Sequence, residues 1–183
     1  MSFLRTIVMF AFTIALFVNT LSAQDKNMQI GGEVSLAMPM GDFGDAYGTG
    51  FGVTGVFTYA LNPQLFLTGS IGYISFGEKF TGISFSTIPL NGGVQYRFNP
   101  GEKFQPYVGA ETLFFFSSST VETGFFGSVS ASSTDFGFTP LVGAAFPMSQ
   151  NLEIRANLKY HIIFTSGSST GFLGIGGGVH FRI

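Results

Sequence analysis

The sequence has no cysteine, no tryptophan and few charges. Only 10% of its 183 residues are charged, whereas a soluble domain usually carries about 25%. The chain therefore has too few polar side chains to cover a water-exposed globule of this size. The lack of cysteine fits an exported chain that needs no disulfide. A net charge of −2 gives no basis for binding nucleic acid, and none is expected.

The part of the chain after residue 23 also lacks a long apolar run. A membrane-spanning helix needs about 20 consecutive apolar residues, and no such stretch occurs there. Hydrophobic residues nevertheless make up 45% of the chain, with 24 phenylalanines. This combination indicates apolar residues spread over alternating strands. Since only helices and closed barrels satisfy every backbone group in lipid, the composition predicts a transmembrane β-barrel.

The first 23 residues have the pattern of a secretory signal peptide. Arg5 supplies the positive charge, residues 7–18 form an apolar core, and Ala23 ends a short polar stretch. We expect cleavage after Ala23, which leaves residues 24–183 as the outer-membrane barrel domain. The alternative is an N-terminal membrane anchor, but the apolar run is shorter than a usual span.

Period-two alternation bounded by turn residues recurs through the remaining chain, as in transmembrane barrels. The clearest case runs from Leu152 to Phe164. There, apolar residues occupy one face, and Glu153, Arg155, Asn157, Lys159 and His161 occupy the other, with Ile163 as the exception. The apolar face is expected to meet lipid and the polar face to line the lumen.

Eight such segments are present, and an even number suits a closed barrel with both termini on one side. The fifth is predicted at about residues 104–116 and the sixth at about 136–146. Short turns fall at residues 62–64, 99–103 and 147–151, and longer Gly- and Ser-rich loops at 39–48, 77–83, 117–135 and 165–170. Outer-membrane barrels have short periplasmic turns and long external loops. We therefore expect an eight-stranded antiparallel up-and-down barrel in the outer membrane, with both termini periplasmic.

Aromatic residues on the outward phase fall near the two ends of the predicted strands, as in the interfacial girdles of barrels. Tyr59, Tyr96, Phe98, Phe146 and Phe181 mark one end, and Phe51, Tyr73, Phe114, Phe116, Tyr160 and Phe164 mark the other. Pro89, Pro106 and Pro140 lie inside strands, where a closed barrel has no edge to hold them. Bulges or frayed rims are expected at these positions.

The chain resembles the small outer-membrane β-barrel family that includes OmpX, OmpW and the barrel of OmpA. The resemblance lies in residues 88–98 (IPLNGGVQYRF), 106–110 (PYVGA), 139–146 (TPLVGAAF) and 176–183 (GGGVHFRI). It implies outer-membrane lipid as the environment and the barrel-assembly machinery as a partner that reads the C-terminal strand. That machinery prefers a final aromatic residue, whereas this chain ends in Ile183 and has Phe181 on the same face.

The inward phase collects eight ionisable residues: Glu33, Arg97, Glu111, Glu153, Arg155, Lys159, His180 and Arg182. An eight-stranded barrel is just wide enough for side chains to fill its interior, and buried charges must pair. These residues are interpreted as a polar network in the lumen. One reading is a packed structural network, and another is a narrow aqueous path for small solutes. Arg97 and Glu111 are expected to pair across neighbouring strands.

Two further functions are open at this stage. The loop at 117–135 carries Phe125 and Phe126 at its centre, which makes them candidates for contact with an extracellular ligand or surface. A lipid-modifying enzyme would use a His with a Ser and an acid near the external rim. His161 lies at that level, but no Ser lies two positions on, and Ser166 and Ser168 are loop residues. The sequence has no metal-ligand spacing and no phosphate-binding loop, so we expect no metal, no cofactor and no catalysis.

Overall fold

The computed structural model describes residues 27–79, 83–122, 128–165 and 168–183. The predicted signal peptide, Phe125 and Phe126 lie outside these ranges. The described chain consists of eight strands and one short helix: β1 Met28–Met40, α1 Asp42–Ala46, β2 Tyr47–Ala60, β3 Leu65–Glu78, β4 Ile83–Arg97, β5 Gln105–Glu122, β6 Ser128–Pro147, β7 Leu152–Thr165 and β8 Ser168–Arg182. The predicted eight strands are confirmed.

The strands form one closed antiparallel barrel in chain order, and β8 pairs with β1. Following the paired residues from Ile30 once around the barrel returns to Met40. This stagger of ten residues over eight strands corresponds to a strand tilt of about 40°. The predicted fold class, an up-and-down barrel, is therefore confirmed, and no strand edge is left open within the barrel wall.

Three short turns and both described chain ends lie at one end of the barrel, here called the turn end; the opposite end is the loop end. Asn62 closes the first turn, since its Oδ1 accepts hydrogen bonds from the amides of Gln64 and Leu65 at 2.9 and 2.8 Å. Ser149 Oγ closes the third turn by accepting from the amides of Asn151 and Leu152. Such local acceptors fix tight turns.

The loop end departs from the sequence prediction. The predicted 117–135 loop is mostly strand, because β5 continues to Glu122 and β6 begins at Ser128, with pairs such as Ser117 and Ser133. A Ser/Thr-rich tract resembles a loop in composition, but pairing between its two halves keeps it extended. The predicted 39–48 loop contains α1, and the 165–170 loop shrinks because β8 already begins at Ser168.

The three strand prolines are accommodated without the expected bulges. Near Pro89 the β3–β4 pairing omits two residue pairs and then resumes in the same register. Near Pro140 the β6–β7 pairing does the same. Pro106 lies at the turn end of β5, where its carbonyl accepts the Phe98 amide at 2.8 Å. Proline lacks an N–H donor, so the pairing is interrupted locally near Pro89 and Pro140 while the barrel keeps its register.

The outer surface is apolar over the height of a bilayer. The predicted outward aromatics are half-exposed, from 37% for Phe146 to 55% for Phe51, and Tyr59 is partly buried. Phe136 and Phe146 lie ten residues apart on β6, which corresponds to about 25 Å along the barrel axis at the tilt given above. That distance equals the usual height of the apolar band. Among the described residues, no helix is both long and apolar enough to cross a membrane.

Candidate functional site: the barrel lumen

The structure places seven of the eight predicted lumen residues inside the barrel. Arg97, Glu111, Glu153, Arg155 and His180 are buried, and the Glu33 and Lys159 side chains are 9% and 13% exposed. Arg182 is the exception. It has the inward phase opposite Gln29, but it is exposed because β8 ends there. Arg182 is therefore not part of the lumen network. Three carboxylates and three permanent cations remain inside, so the described interior is balanced if His180 is neutral.

A charged floor closes the turn end of the lumen. Arg97 of β4 reaches across to Glu153 of β7 and donates two hydrogen bonds, Nη1 to Oε2 at 2.8 Å and Nη2 to Oε1 at 3.0 Å. Arg155 donates its Nε to the same carboxylate at 2.5 Å. Its other nitrogens donate to Thr58 Oγ1 at 3.2 Å and to Gln29 Oε1. The Arg97 guanidinium also lies over the Phe66 ring, 4.1 Å from its centroid. Fork-shaped guanidinium groups suit this bidentate geometry.

A second polar layer lies above the floor. Lys159 Nζ donates to both carboxylate oxygens of Glu111 at 3.3 Å. On the β1 side of this layer, Asn157 Nδ2 donates to Glu33 at 3.1 Å, and His180 Nε2 lies 3.0 Å from the other oxygen of that carboxylate. Each described lumen carboxylate therefore has at least one partner from another strand. These contacts join β5 to β7, and β1 to β7 and β8, through the interior.

The expected Arg97–Glu111 pair is wrong. The register places Glu111 opposite Gly93 and Arg97 opposite Tyr107. Four residues of strand, about 13 Å, separate the two levels. Each residue instead pairs across the lumen with a residue of β7. Inward residues of neighbouring strands that differ by four positions in level are too far apart to pair, whereas β7 supplies a partner at the level of each.

Glycines on the inner wall make room for these long side chains. The His180 ring lies against Gly31, where a built Cβ would stand 2.3 Å from the ring Nδ1. The Tyr107 ring lies against Gly143 of the neighbouring strand in the same way, since a Cβ added at Gly143 would stand 2.4 Å from Tyr107 Cζ. Such distances admit only glycine unless the ring moves. The narrow bore is therefore filled by placing a large side chain on one strand beside a glycine on the neighbouring strand.

An apolar cluster closes the loop end of the lumen, and sequence reasoning missed it. Seven buried side chains form it: Ala37, Ile74, Phe76, Leu113, Phe115, Ile163 and Phe172. Phe115 and Phe172 are 0% and 1% exposed. The sequence did contain a signal for this cluster, namely apolar residues on the inward phase. Ile163 is one of them, and it was interpreted as an exception to the alternation. We call these seven residues the aromatic cap.

Helix α1 completes the cap from outside. Its Phe43 ring packs at 5.0–5.3 Å from the rings of Tyr47, Phe76 and Phe85. Gly41, at φ +59°, precedes the helix, a conformation that favours glycine. Lys79 Nζ donates to the Gly44 carbonyl oxygen and ties the helix to the end of β3. The loop after β1 therefore folds inward over the barrel mouth.

His161 lies between the polar layers and the cap. It is 5% exposed, its Nδ1 lies 2.9 Å from Thr139 Oγ1, and its ring stacks on Phe172 at 4.4 Å. Phe115 covers it edge-on at 6.0 Å. The imidazole therefore sits under aromatic rings and away from the rim. Within the described ranges, no group of three or more potential metal ligands converges.

Comparison with known proteins identifies the family. The family model described as "Outer membrane protein beta-barrel domain" matches residues 8–181. The chain belongs to this family. It is an integral β-barrel protein of the outer membrane, in contact with membrane lipid. No curated protein sequence matches it.

Solved structures show the same fold. Neisserial surface protein A has a TM-score of 0.66 at 17% identity, covering 85% of this chain and 97% of that one. OprG of Pseudomonas aeruginosa has a TM-score of 0.57 at 13% identity, covering 86% and 95%. Ail, the attachment invasion locus protein of Yersinia pestis, has a TM-score of 0.51 at 20% identity, covering 85% and 97%. At these identities the likeness shows the barrel fold.

The floor pairing predicts a specific pattern of energetic coupling. Arg97→Met and Glu153→Gln should each lower the free energy of unfolding by about 3 kcal/mol, since each leaves a buried charge with fewer partners. The double variant should lose about 2 kcal/mol less of the free energy of unfolding than the two single variants lose together. Arg97→Met combined with Glu111→Gln should be additive within about 0.5 kcal/mol. Urea unfolding from lipid vesicles measures the three single variants, including Glu111→Gln alone, and the two double variants. Coupling between Arg97 and Glu111 would contradict the assigned pairing.

Two adjacent glycines provide a matched test of lumen packing. Gly31→Ala should displace the His180 ring from Glu33 and destabilise the barrel by about 1–3 kcal/mol. Gly32→Ala adds the same methyl group where nothing lies within 4 Å, so stability should stay equal or rise by about 0.5–1 kcal/mol. The comparison uses the same urea titration. Equal losses for both variants would show that the ring does not occupy the assigned position.

Proposed function

We propose that the protein is a closed structural barrel of the outer membrane that does not serve as a pore. The aromatic cap is the observation that carries this proposal. Buried phenylalanines fill the loop end of the lumen, and the charged floor fills the turn end with mutually bonded side chains. Water has no favourable partners among the rings, and ions entering the floor would have to break charge-assisted hydrogen bonds.

The charge balance supports the same role. A conducting lumen usually carries a polar, water-filled interior, whereas these charges sit in bonded pairs with side-chain exposures of 13% or less. Among the two readings of the lumen network, the packed structural one is favoured. Its contribution is to hold opposite walls together, since it joins β7 to β1, β2, β4 and β5.

The membrane orientation is part of the proposal. Three short turns and both described ends share one end of the barrel, and short turns are periplasmic in this class. Residues 1–23, as a signal peptide, would bring the chain to that side. We place both termini in the periplasm and the cap outside. The assembly machinery would read β8, whose Phe181 is exposed on the outer face. The amide of Ile183, directly after β8, donates to the Met28 carbonyl oxygen at 3.0 Å.

A lipid-modifying enzyme is disfavoured by the position of His161. Its ring is buried below Phe172 and its near neighbour is the Thr139 hydroxyl. Catalysis on a lipid would need this imidazole at the outer rim, with an acid and a nucleophile in reach. We therefore propose a non-catalytic role without cofactor or metal.

Planar-bilayer recording tests the closed barrel. The refolded protein should give no discrete conductance steps, and Glu153→Gln and Lys159→Gln should stay silent, because the aromatic cap is intact in all three. Heat-modifiable migration on gels verifies that each sample is folded. Regular steps that change with either substitution would mean a charged aqueous path and would overturn the proposal.

A second candidate function is surface attachment, and the β5–β6 hairpin favours it. β6 pairs with β5 down to Ser128, but its pairing with β7 begins only at Phe136. Residues 128–135 of β6 therefore have no second partner among the described strands. Such an exposed edge accepts an extended peptide by strand addition. The predicted contact residues Phe125 and Phe126 fall between these two strands in the sequence.

Shortening this hairpin tests the attachment role. Ser118 and Ser132 are paired, so an Asn-Gly turn can join them and remove residues 119–131. Vesicles carrying the shortened barrel should lose adherence to immobilised extended peptides if the edge binds them by strand addition. A control variant replaces only residues 123–127 with Gly and Ser. Loss in the control as well would assign binding to the tip, and unchanged adherence in both would exclude the hairpin.

A further inference from the structure

A small cavity lies between the polar layers of the lumen and the aromatic cap. Its volume is about 30 Å³, and a cavity needs roughly 10–15 Å³ by this measure to hold one water molecule. Its polar lining comes from four strands and consists of Glu33, Ser35, Thr54, Asn91, Asn157, Lys159 and His161. Ile74, Pro89 and Phe172 close the side that faces the cap.

One residue that lines the cavity, Asn91, has a buried side-chain oxygen without a hydrogen-bond partner. Asn91 is 8% exposed, and its Nδ2 donates to Ser70 Oγ at 2.9 Å. Its Oδ1 is buried and has no hydrogen-bond partner in the described protein. A buried carbonyl oxygen without a donor costs roughly 1–3 kcal/mol. The Asn91 residue lines the cavity, so a donor held there would lie beside this side chain.

We infer that this cavity is a binding site for a pair of structural water molecules. Its volume admits about two, and each would find the two to four polar partners that buried waters usually have. One water donates to Asn91 Oδ1. Lys159, whose ammonium carries three protons and bonds the two oxygens of Glu111, supplies a donor to the other. The Ser35 and Thr54 hydroxyls provide both donors and acceptors.

The surroundings of the cavity favour water over an ion. Glu33 and Glu111 already have bonded partners in His180, Asn157 and Lys159, so little charge is left to bind one. A cation would also stand beside the Lys159 ammonium. Because the aromatic cap lies directly beyond the cavity, the waters would be confined and long-lived. The long residence time of these waters rests on the proposed function, in which the lumen is closed.

Oxygen-17 relaxation dispersion on the refolded barrel in micelles tests the site, because it counts waters that stay longer than the protein tumbles. The native chain should show an amplitude that falls by about two waters in Asn91→Leu, which fills the cavity and removes the orphaned oxygen. Gln95→Leu is the matched control. Gln95 lies inward on the same strand with a buried, unpartnered Oε1 but outside the cavity lining, so its substitution should keep the amplitude.

Thr54→Val gives a second reading if Asn91→Leu fails to fold. It keeps the side-chain shape and removes one cavity hydroxyl, so it should lose at least one long-lived water. An amplitude that is equal in Asn91→Leu, Thr54→Val and the native chain would overturn the site. Conductance recorded on the same preparations separates the two ideas. Silent barrels with no cavity waters refute the site alone, and conducting barrels refute the closed lumen.

Discussion

The bore of the barrel is the constraint on which the rest of the structure depends. Eight strands staggered by ten residues enclose a space that side chains can just fill. An inward side chain therefore meets either a residue across the bore or a residue of the neighbouring strand at its own level. This explains why Arg97 of β4 reaches Glu153 of β7, and why glycines such as Gly31 and Gly143 face large rings. Closure fixes the size of the interior, and the interior then fixes which residue types fit at each level.

Water is excluded from the lumen in two ways, by bonded charges towards the turn end and by apolar rings at the loop end. Towards the turn end, three permanent cations contact two buried carboxylates, Glu153 and Glu111. The third carboxylate, Glu33, contacts Asn157 and His180. At the loop end, rings fill the space and leave almost no polar side chain to satisfy. The order is physically consistent, since an apolar cap needs no partners and can tolerate a variable loop above it. A buried ion pair needs fixed geometry, which the tightly turned end provides.

The outward face and the strand number were predictable from sequence because lipid imposes a simple rule on one side of each strand. Alternation over Leu152–Phe164 showed which residues face lipid and which face inward. The inward partners were not predictable, because they depend on register and stagger around the whole barrel. Arg97 and Glu111 share a phase and lie on neighbouring strands, yet four residues of offset separate them. Phase alone also placed Arg182 in the lumen, although the strand ends there and leaves it exposed.

The predictions made from composition at the loop end were wrong for a related reason. The Ser-rich tract at 117–135 has the residues of a flexible loop, but each half pairs with the other and stays extended. The inward apolar residues of the cap read as interruptions of a polar lumen until the fold brought them to one level. Both errors come from judging a segment by its own residues. In a closed barrel the partner across the bore or across the hairpin decides whether a serine is in a strand and whether a phenylalanine is in the core.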